Sequence, residues 1–182
     1  MTVSAHDVAA ELRKRLPGVG VKKLHKLLYY CQGHHVAHSG EPLFSETISA
    51  WDMGPVVGSL WKREDQRLDP PPPRPLDEGA LNTVGYVLSR YGALTGNDLE
   101  TLSHGEAPWK LADRDREPRG STTIKLDWIK GYFQTAGAPG DEDMEPLDST
   151  VVRAWLHKAA QNPGPNDRDD IARLRARMSR SA

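Results

Sequence analysis

The chain has 182 residues, of which 37% are apolar and 27% charged, the usual size and make-up of one compact domain with short appendages. Its formal net charge of -1 excludes a large single-sign field that would attract nucleic acid or an anionic membrane to the whole surface. The one cysteine, Cys31, excludes an intramolecular disulfide, and no stretch approaches the roughly 20 apolar residues of a membrane span or resembles a secretory signal. These features predict a soluble protein of the cytoplasm.

The N-terminal third contains the strongest helical patterns. A first helix is predicted to begin at Ser4, whose side chain can cap the free N–H groups while Asp7 lies in the electropositive first turn. Pro17 and Gly18 end it. A second helix is predicted over 21–38 because apolar positions recur there at helical spacing. The stripe consists of Leu24, Leu27, Leu28, Cys31 and His35, and Lys22, Lys23 and Lys26 beside it are interpreted as a solvated flank.

The middle of the chain changes period. Alternation over 44–51 predicts a short strand, and a turn at 52–54 follows it. Pro55 suits the first position of a helix, which we expect to continue to about Arg67 with Leu60 and Trp61 on its apolar face. The prolines at 70–73 cannot form a helix or a central strand, so they predict a stiff surface connection rather than a ligand for a proline-binding module.

Four more helices are predicted before residue 135. Apolar positions at Leu81, Val84, Leu88 and Tyr91 indicate a helix that ends at Gly92. Thr95 with Asp98 forms a capping box for the next helix, and Leu94 with Leu99 forms its hydrophobic staple. Pro108 and Trp109 open a short helix, and a last one carries Ile124, Tyr132 and Phe133.

Composition divides the chain into three parts. Residues 136–148 are rich in Gly, Pro and carboxylates and predict a linker, because they cannot bury enough apolar surface to offset the entropy of ordering. Residues 149–182 predict a C-terminal helical extension. We therefore expect a mainly α domain over 1–135 with a short strand or β-hairpin element, a linker over 136–148 and the extension over 149–182.

Histidines and the cysteine raise the possibility of a metal-dependent enzyme. Cys31, His34 and His38 lie within eight residues on one helix, and His104 would complete four ligands. However, the pair Cys31 and His35 faces a different direction from the pair His34 and His38. Cys31 also lies on the buried stripe, where a thiolate is disfavoured. We interpret His35 as packing at the core edge, and expect no catalytic residue, no metal site and no cofactor.

Two surface features suggest binding instead. Arginines between 168 and 180 would let the last helix bind DNA or RNA, but aspartates precede them and no aromatic residues for base stacking are interleaved. The chain has five tryptophans, which a domain of this size cannot bury completely, and tryptophan is enriched at protein-binding hot spots.

Four segments carry a family resemblance. They are KLHKLLYYCQG at 23–33, GEPLF at 40–44, AWDMGPV at 50–56 and SHGEAPW at 103–109. Together they closely resemble the Panacea or SocA-like antitoxin domain, which also occurs among phage-associated proteins. The resemblance extends over about 8–133. His25 and the pair His34 and His35 depart from the residues usual in that family.

The resemblance implies a compact helical domain that binds and neutralises a toxin encoded beside it, as in type II toxin-antitoxin systems, without a cofactor. Neutralisation would either block the toxin or, through an adaptor role, present it to a bacterial protease. Nucleic-acid binding by the last helix, and less strongly a metal-dependent enzyme, remain alternatives.

Site residues follow from the motifs and from the unpaired apolar stripes. The motif residues are interpreted as scaffold: Lys26, Tyr29, Gln32, Trp51, Gly54, Pro55, His104, Glu106, Pro108 and Trp109. Either Gln32 or His104 is expected to bond buried backbone groups near the strand. The predicted partner-binding residues are Trp61, Arg63, Trp155, Leu156, Ile171, Leu174 and Met178.

Overall fold

A computed structural model of the chain describes residues 3–136, together with Thr150, Ala154 and His157. The chain divides into two units, Met1–Leu147 and Asp148–Ala182. In the second unit Thr150, Ala154 and His157 are helical and exposed. The first unit carries all the geometry below, and the predicted boundaries of the linker and the extension stay predictions.

The first unit is mainly α, as predicted. Its described residues form seven helices and three short strands. The helices are α1 (Ala5–Arg15), α2 (Val21–Ser39), α3 (Gly58–Asp65), α4 (Glu78–Tyr91), α5 (Gly96–Gly105), α6 (Ala107–Arg114) and α7 (Leu126–Ala136), and the strands are β1 (Ile48–Trp51), β2 (Gly54–Val57) and β3 (Thr122–Thr123). None of the helices in this described part is long and apolar enough to cross a membrane.

Helix α2 is the centre of the fold. It packs against α1, α4, α5, α7 and β2, so residues 24–33 are buried without interruption. The predicted helix is confirmed, and Cys31 is a buried free thiol whose pKa burial raises. The solvated flank is wrong for Lys26, which is 1% exposed. Because elements surround α2 on every side, positions beside its apolar stripe are also enclosed.

Predicted caps are present at two helix starts. The Ser4 hydroxyl accepts a hydrogen bond from the Asp7 N–H, and the Asp7 carboxylate accepts one from the Ser4 N–H. Thr95 and Asp98 form the same reciprocal box at the start of α5. Each box satisfies N–H groups that the first turn leaves free, so these boundaries are confirmed.

The segment after the 52–54 turn corrects the sequence prediction. Residues 54–57 form β2, which pairs antiparallel with β1, and the helix begins only at Gly58. Strand order is β2-β1-β3, which leaves β2 at the sheet edge, where a proline without an N–H is tolerated. Pro55 therefore lies in a strand and not at the first helical position. Gly54 has φ +94, a conformation that favours glycine in this tight hairpin.

The proline-rich connection is exposed but attached at two points. Its Pro71 carbonyl lies 2.8 Å from His6 Nε2, and the Arg74 N–H and guanidinium donate to the Asp7 carboxylate. Burial acts to raise the pKa of Asp7, but the hydrogen bonds from Arg74 and Ser4 lower it to about 2. One carboxylate thus caps α1 and holds the connection.

Candidate partner-binding surface

Glu106 joins two tyrosines of α2 to the start of α6. Tyr29 Oη donates to one carboxylate oxygen at 2.7 Å, and Tyr30 Oη donates to the other at 3.0 Å. Burial raises the pKa of Glu106 to about 7, although both hydrogen bonds act to lower it. Tyr30 also stacks on Tyr91 with ring centroids 4.0 Å apart. The glutamate of the fourth motif is therefore a structural link inside the core.

Gln32 holds the chain that leads into β1. Its side-chain oxygen accepts from the N–H groups of Leu43 and Phe44, and its amide donates to the Phe44 carbonyl. These groups are buried and would otherwise lack a partner in an irregular segment. Of the two residues proposed for this role, Gln32 performs it, whereas His104 stacks on Trp109 at 4.0 Å between ring centroids.

Lys26 lies beneath the hairpin turn. Its ammonium donates to the Pro55 carbonyl at 3.1 Å, and a Cβ at Gly54 would lie 2.7 Å from Lys26 Cε. Burial lowers the pKa of Lys26 to about 7, with Glu100 opposing the change. The sequence indicated neither this burial nor its partner, because helical periodicity does not reveal how many elements surround a helix.

The residues of the metal hypothesis lie in separate environments. His34 Nε2 is 2.9 Å from Tyr91 Oη and its ring packs edge-on against Phe133, while Cys31 is buried in the core. His104 is stacked on Trp109. Across residues 3–136, no three His, Cys, Asp or Glu side chains come together in a way that could hold a metal ion.

An aromatic pair lies where the hairpin meets α3. Trp61 is 36% exposed, and its ring meets that of Trp51 edge-on at 5.0 Å between centroids. Met53, at the hairpin turn, is 38% exposed. Trp51 is fixed from behind, since its indole N–H donates to Ser121 Oγ and its carbonyl accepts from the Trp109 indole. The predicted partner residue Trp61 thus packs against a tryptophan whose position is fixed by hydrogen bonds.

Arg63 lies on another face of α3. It lines a cavity of about 230 Å³ shared with α1, and its guanidinium donates to the Asp69 carbonyl. Trp61 and Arg63 therefore belong to two adjoining features and not to one patch. We call the Trp51, Met53 and Trp61 group the aromatic face. The other predicted partner residues, Trp155, Leu156, Ile171, Leu174 and Met178, lie outside the described residues, as does the arginine-rich helix.

Sequence reasoning missed Met53 and the exposed part of Trp51. A hairpin at 51–54 would have placed both beside Trp61, but Pro55 was interpreted as the start of a helix. It also missed His25, which is buried and accepts from the Val57 N–H through Nδ1. Burial lowers the pKa of His25 to about 4, so the neutral ring serves as the acceptor.

Comparison with known proteins agrees with the motifs. Residues 24–110 match the family model described as antitoxin SocA-like, Panacea domain. This part of the chain is similar to the SocA-like Panacea antitoxin domain. No curated protein and no solved structure matches the chain. The matched segment runs from α2 into α6 and so includes all four motifs, apart from Lys23, together with the aromatic face. A Panacea domain suggests a non-enzymatic role and, in general, a toxin partner.

Proposed function

We propose that this protein is an antitoxin that neutralises a cognate protein toxin in the cytoplasm by direct binding, without catalysis and without a cofactor. The observation that carries the proposal is the exposed Trp61, held edge-on against Trp51 within the matched Panacea domain. Large, preorganised aromatic side chains contribute much of the free energy at protein interfaces.

Three of the motif residues support the proposal because they are buried. Lys26 and Gln32 are almost completely buried, and Glu106 is only 9% exposed. Each is hydrogen-bonded to another part of the fold. A toxin cannot contact them without opening the core, so recognition belongs to the surface.

A second part of the interface is proposed from sequence alone. The predicted extension over 149–182 has apolar stripes that we expect a partner to cover. They include Trp155, Leu156, Ile171, Leu174 and Met178. We propose that the extension contacts the toxin together with the aromatic face. Truncation after Gln134 would then weaken the complex.

The test begins with growth. Bacteria express the adjacent reading frame of the native locus with and without this protein, and the two products are then co-purified. The proposal expects growth arrest by the neighbour alone, recovery with this protein, and a stable complex. A harmless neighbour, or relief without a complex, would contradict it.

A matched pair of variants locates the interface. Trp61→Ser removes the centre of the aromatic face, whereas Trp128→Ser removes a half-buried tryptophan of α7. We expect relief of toxicity to be lost with the first variant and kept with the second. Equal behaviour of the two would remove the aromatic face from the interface.

Toxin turnover separates the two modes of neutralisation. We propose blocking as the mode, because a held aromatic face suits a stable complex. The measurement is the toxin's half-life in cells with and without this protein. An unchanged or longer half-life agrees with blocking, and a shorter one that depends on a protease would establish the adaptor mode.

A further inference from the structure

The cavity between α1 and α3 combines apolar walls with cationic groups. Leu60 contributes a buried part of the apolar lining, and Leu68, which is 52% exposed, and Pro70 complete it. His6, Arg13, Arg63 and Glu64 supply the polar lining. A volume of about 230 Å³ is enough for a medium or large side chain of a partner.

The two arginines of this cavity differ in their partners. Arg13 forms an ion pair with Glu64, which neutralises the one carboxylate of the lining. Arg63 is exposed and donates to a backbone carbonyl, that of Asp69, and within residues 3–136 it forms no ion pair with a carboxylate. The lining therefore keeps one guanidinium charge available, and a planar guanidinium matches a carboxylate in a bidentate arrangement.

Two lining residues of the cavity, Leu60 and Glu64, are attached to the rest of the domain. Glu64 is held by Arg13, and its second oxygen lies 3.8 Å from the Nε2 atom of buried His25. Leu60 is 5% exposed and anchors α3 to the domain. A side chain that enters the cavity would thus meet a preformed surface, which lowers the entropic cost of binding.

We propose that this cavity, lined by Leu60, Arg63, Leu68 and Pro70, receives an apolar side chain of the toxin whose neighbouring Asp or Glu pairs with Arg63. The inference rests on the proposed function and specifies the chemistry of the partner segment. A nucleic-acid backbone is the poorer occupant, because the walls are apolar and the lining already contains Glu64.

Charge reversal tests the pairing. Arg63→Glu and Arg114→Glu make the same change of charge at exposed arginines, each in the last turn of an eight-residue helix. The probe is the purified product of the adjacent reading frame, with its Kd measured by calorimetry at low and at moderate salt. We expect Arg63→Glu to weaken binding by about ten-fold or more at low salt, with a smaller difference at higher salt, and Arg114→Glu to leave Kd unchanged.

Two further variants make the assignment specific. Leu68→Asp should also weaken binding, because it places a carboxylate in the apolar wall. An Asp or Glu of the toxin changed to Arg should restore binding to Arg63→Glu. Thermal unfolding of each variant checks that the exposed substitutions leave the fold intact.

The outcomes separate this inference from the proposed function. If the wild-type protein binds the toxin and Arg63→Glu binds equally well, the cavity assignment is overturned and the antitoxin proposal stands. If the wild-type protein forms no complex, both fall. If Arg63→Glu abolishes a gel shift with DNA or RNA and leaves toxin binding unchanged, the cavity binds phosphate and the inference is wrong.

Discussion

Polar and aromatic side chains are buried on α2 but exposed on α3. Around α2, Tyr29, Tyr30 and Gln32 are buried and bonded within the fold. On α3, Trp61 and Arg63 are exposed and form fewer contacts within the fold. Motif residues that define a family can therefore serve the scaffold, while residues that serve binding lie beside them on the surface.

The largest effect is expected where α2 supports irregular backbone. Gln32→Leu would leave the N–H groups of Leu43 and Phe44 and the Phe44 carbonyl buried without their partner. We expect a loss of about 3–5 kcal/mol in the free energy of unfolding, measured by urea denaturation. Gln134→Leu, an exposed site on α7, is the control and should change it by less than about 0.5 kcal/mol. Similar values for the two variants would show that Gln32 is not structural.

A steric test of α2 comes next in size. A Cβ at Gly33 would overlap the ring of Phe133, whereas a Cβ at Gly131 meets nothing within 4 Å. Gly33→Ala should cost about 2 kcal/mol by overpacking, despite the better helix propensity of alanine. Gly131→Ala should be neutral or gain about 0.5–1 kcal/mol. Adding Phe133→Leu should relieve part of the Gly33→Ala loss, and strictly additive losses would contradict the contact.

The buried carboxyl predicts a pH dependence. Because the folded-state pKa of Glu106 is raised from 4.5 to about 7, the folded protein retains a proton that the unfolded chain releases. This contribution to stability is present below pH 4.5 and is lost as the pH rises to about 7, by at most about 1.4 kcal/mol per pH unit. Glu106→Gln stays neutral and should lack this loss.

Comparing the wild-type protein with Glu106→Gln isolates the pH-dependent contribution of Glu106 to stability. Burial lowers the pKa of His25, His34 and His104 from 6.5 to about 4, so these residues make stability rise with pH between those values, which overlaps the window of Glu106. They are present in both proteins and cancel in the difference. Unfolding free energies measured between pH 5 and pH 8 should favour Glu106→Gln increasingly as the pH rises, and parallel curves would refute the assignment.

The smallest stability effect is expected on α3. Trp61→Ser removes one edge-on aromatic contact and the partial burial of a residue that is already 36% exposed, so it should cost about 1–2 kcal/mol. Differential scanning calorimetry measures this, with Trp128→Ser as the reference. A loss comparable to that of Gln32→Leu would place Trp61 in the scaffold.

Local signals in the sequence predicted local structure well. Ser4 with Asp7 and Thr95 with Asp98 set two helix starts because a capping box depends only on residues within one turn. The period of α2 predicted that helix for the same reason. Pro55 misled, since the residue is compatible both with a first helical turn and with an edge strand, and only pairing with β1 decides between them.

Properties that depend on several elements could not be predicted. Lys26 and His25 are buried because β2 and α5 close over positions that flank the apolar stripe. Trp61 and Arg63 were predicted together, but helical geometry directs them to different neighbours, the hairpin and α1. The motifs indicated the family, yet the partner surface depends on which side chains remain exposed after folding.

The most direct test of this division of roles compares the affinities of two variants for the product of the adjacent reading frame at one pH. Calorimetry should give Trp61→Ser a Kd at least about ten-fold weaker than that of the wild-type protein, with a loss of unfolding free energy well below that of Gln32→Leu. Glu106→Gln should bind as tightly as the wild-type protein while its pH-dependent stability changes. The reverse result, with Glu106→Gln binding weakly and Trp61→Ser binding normally, would contradict the account.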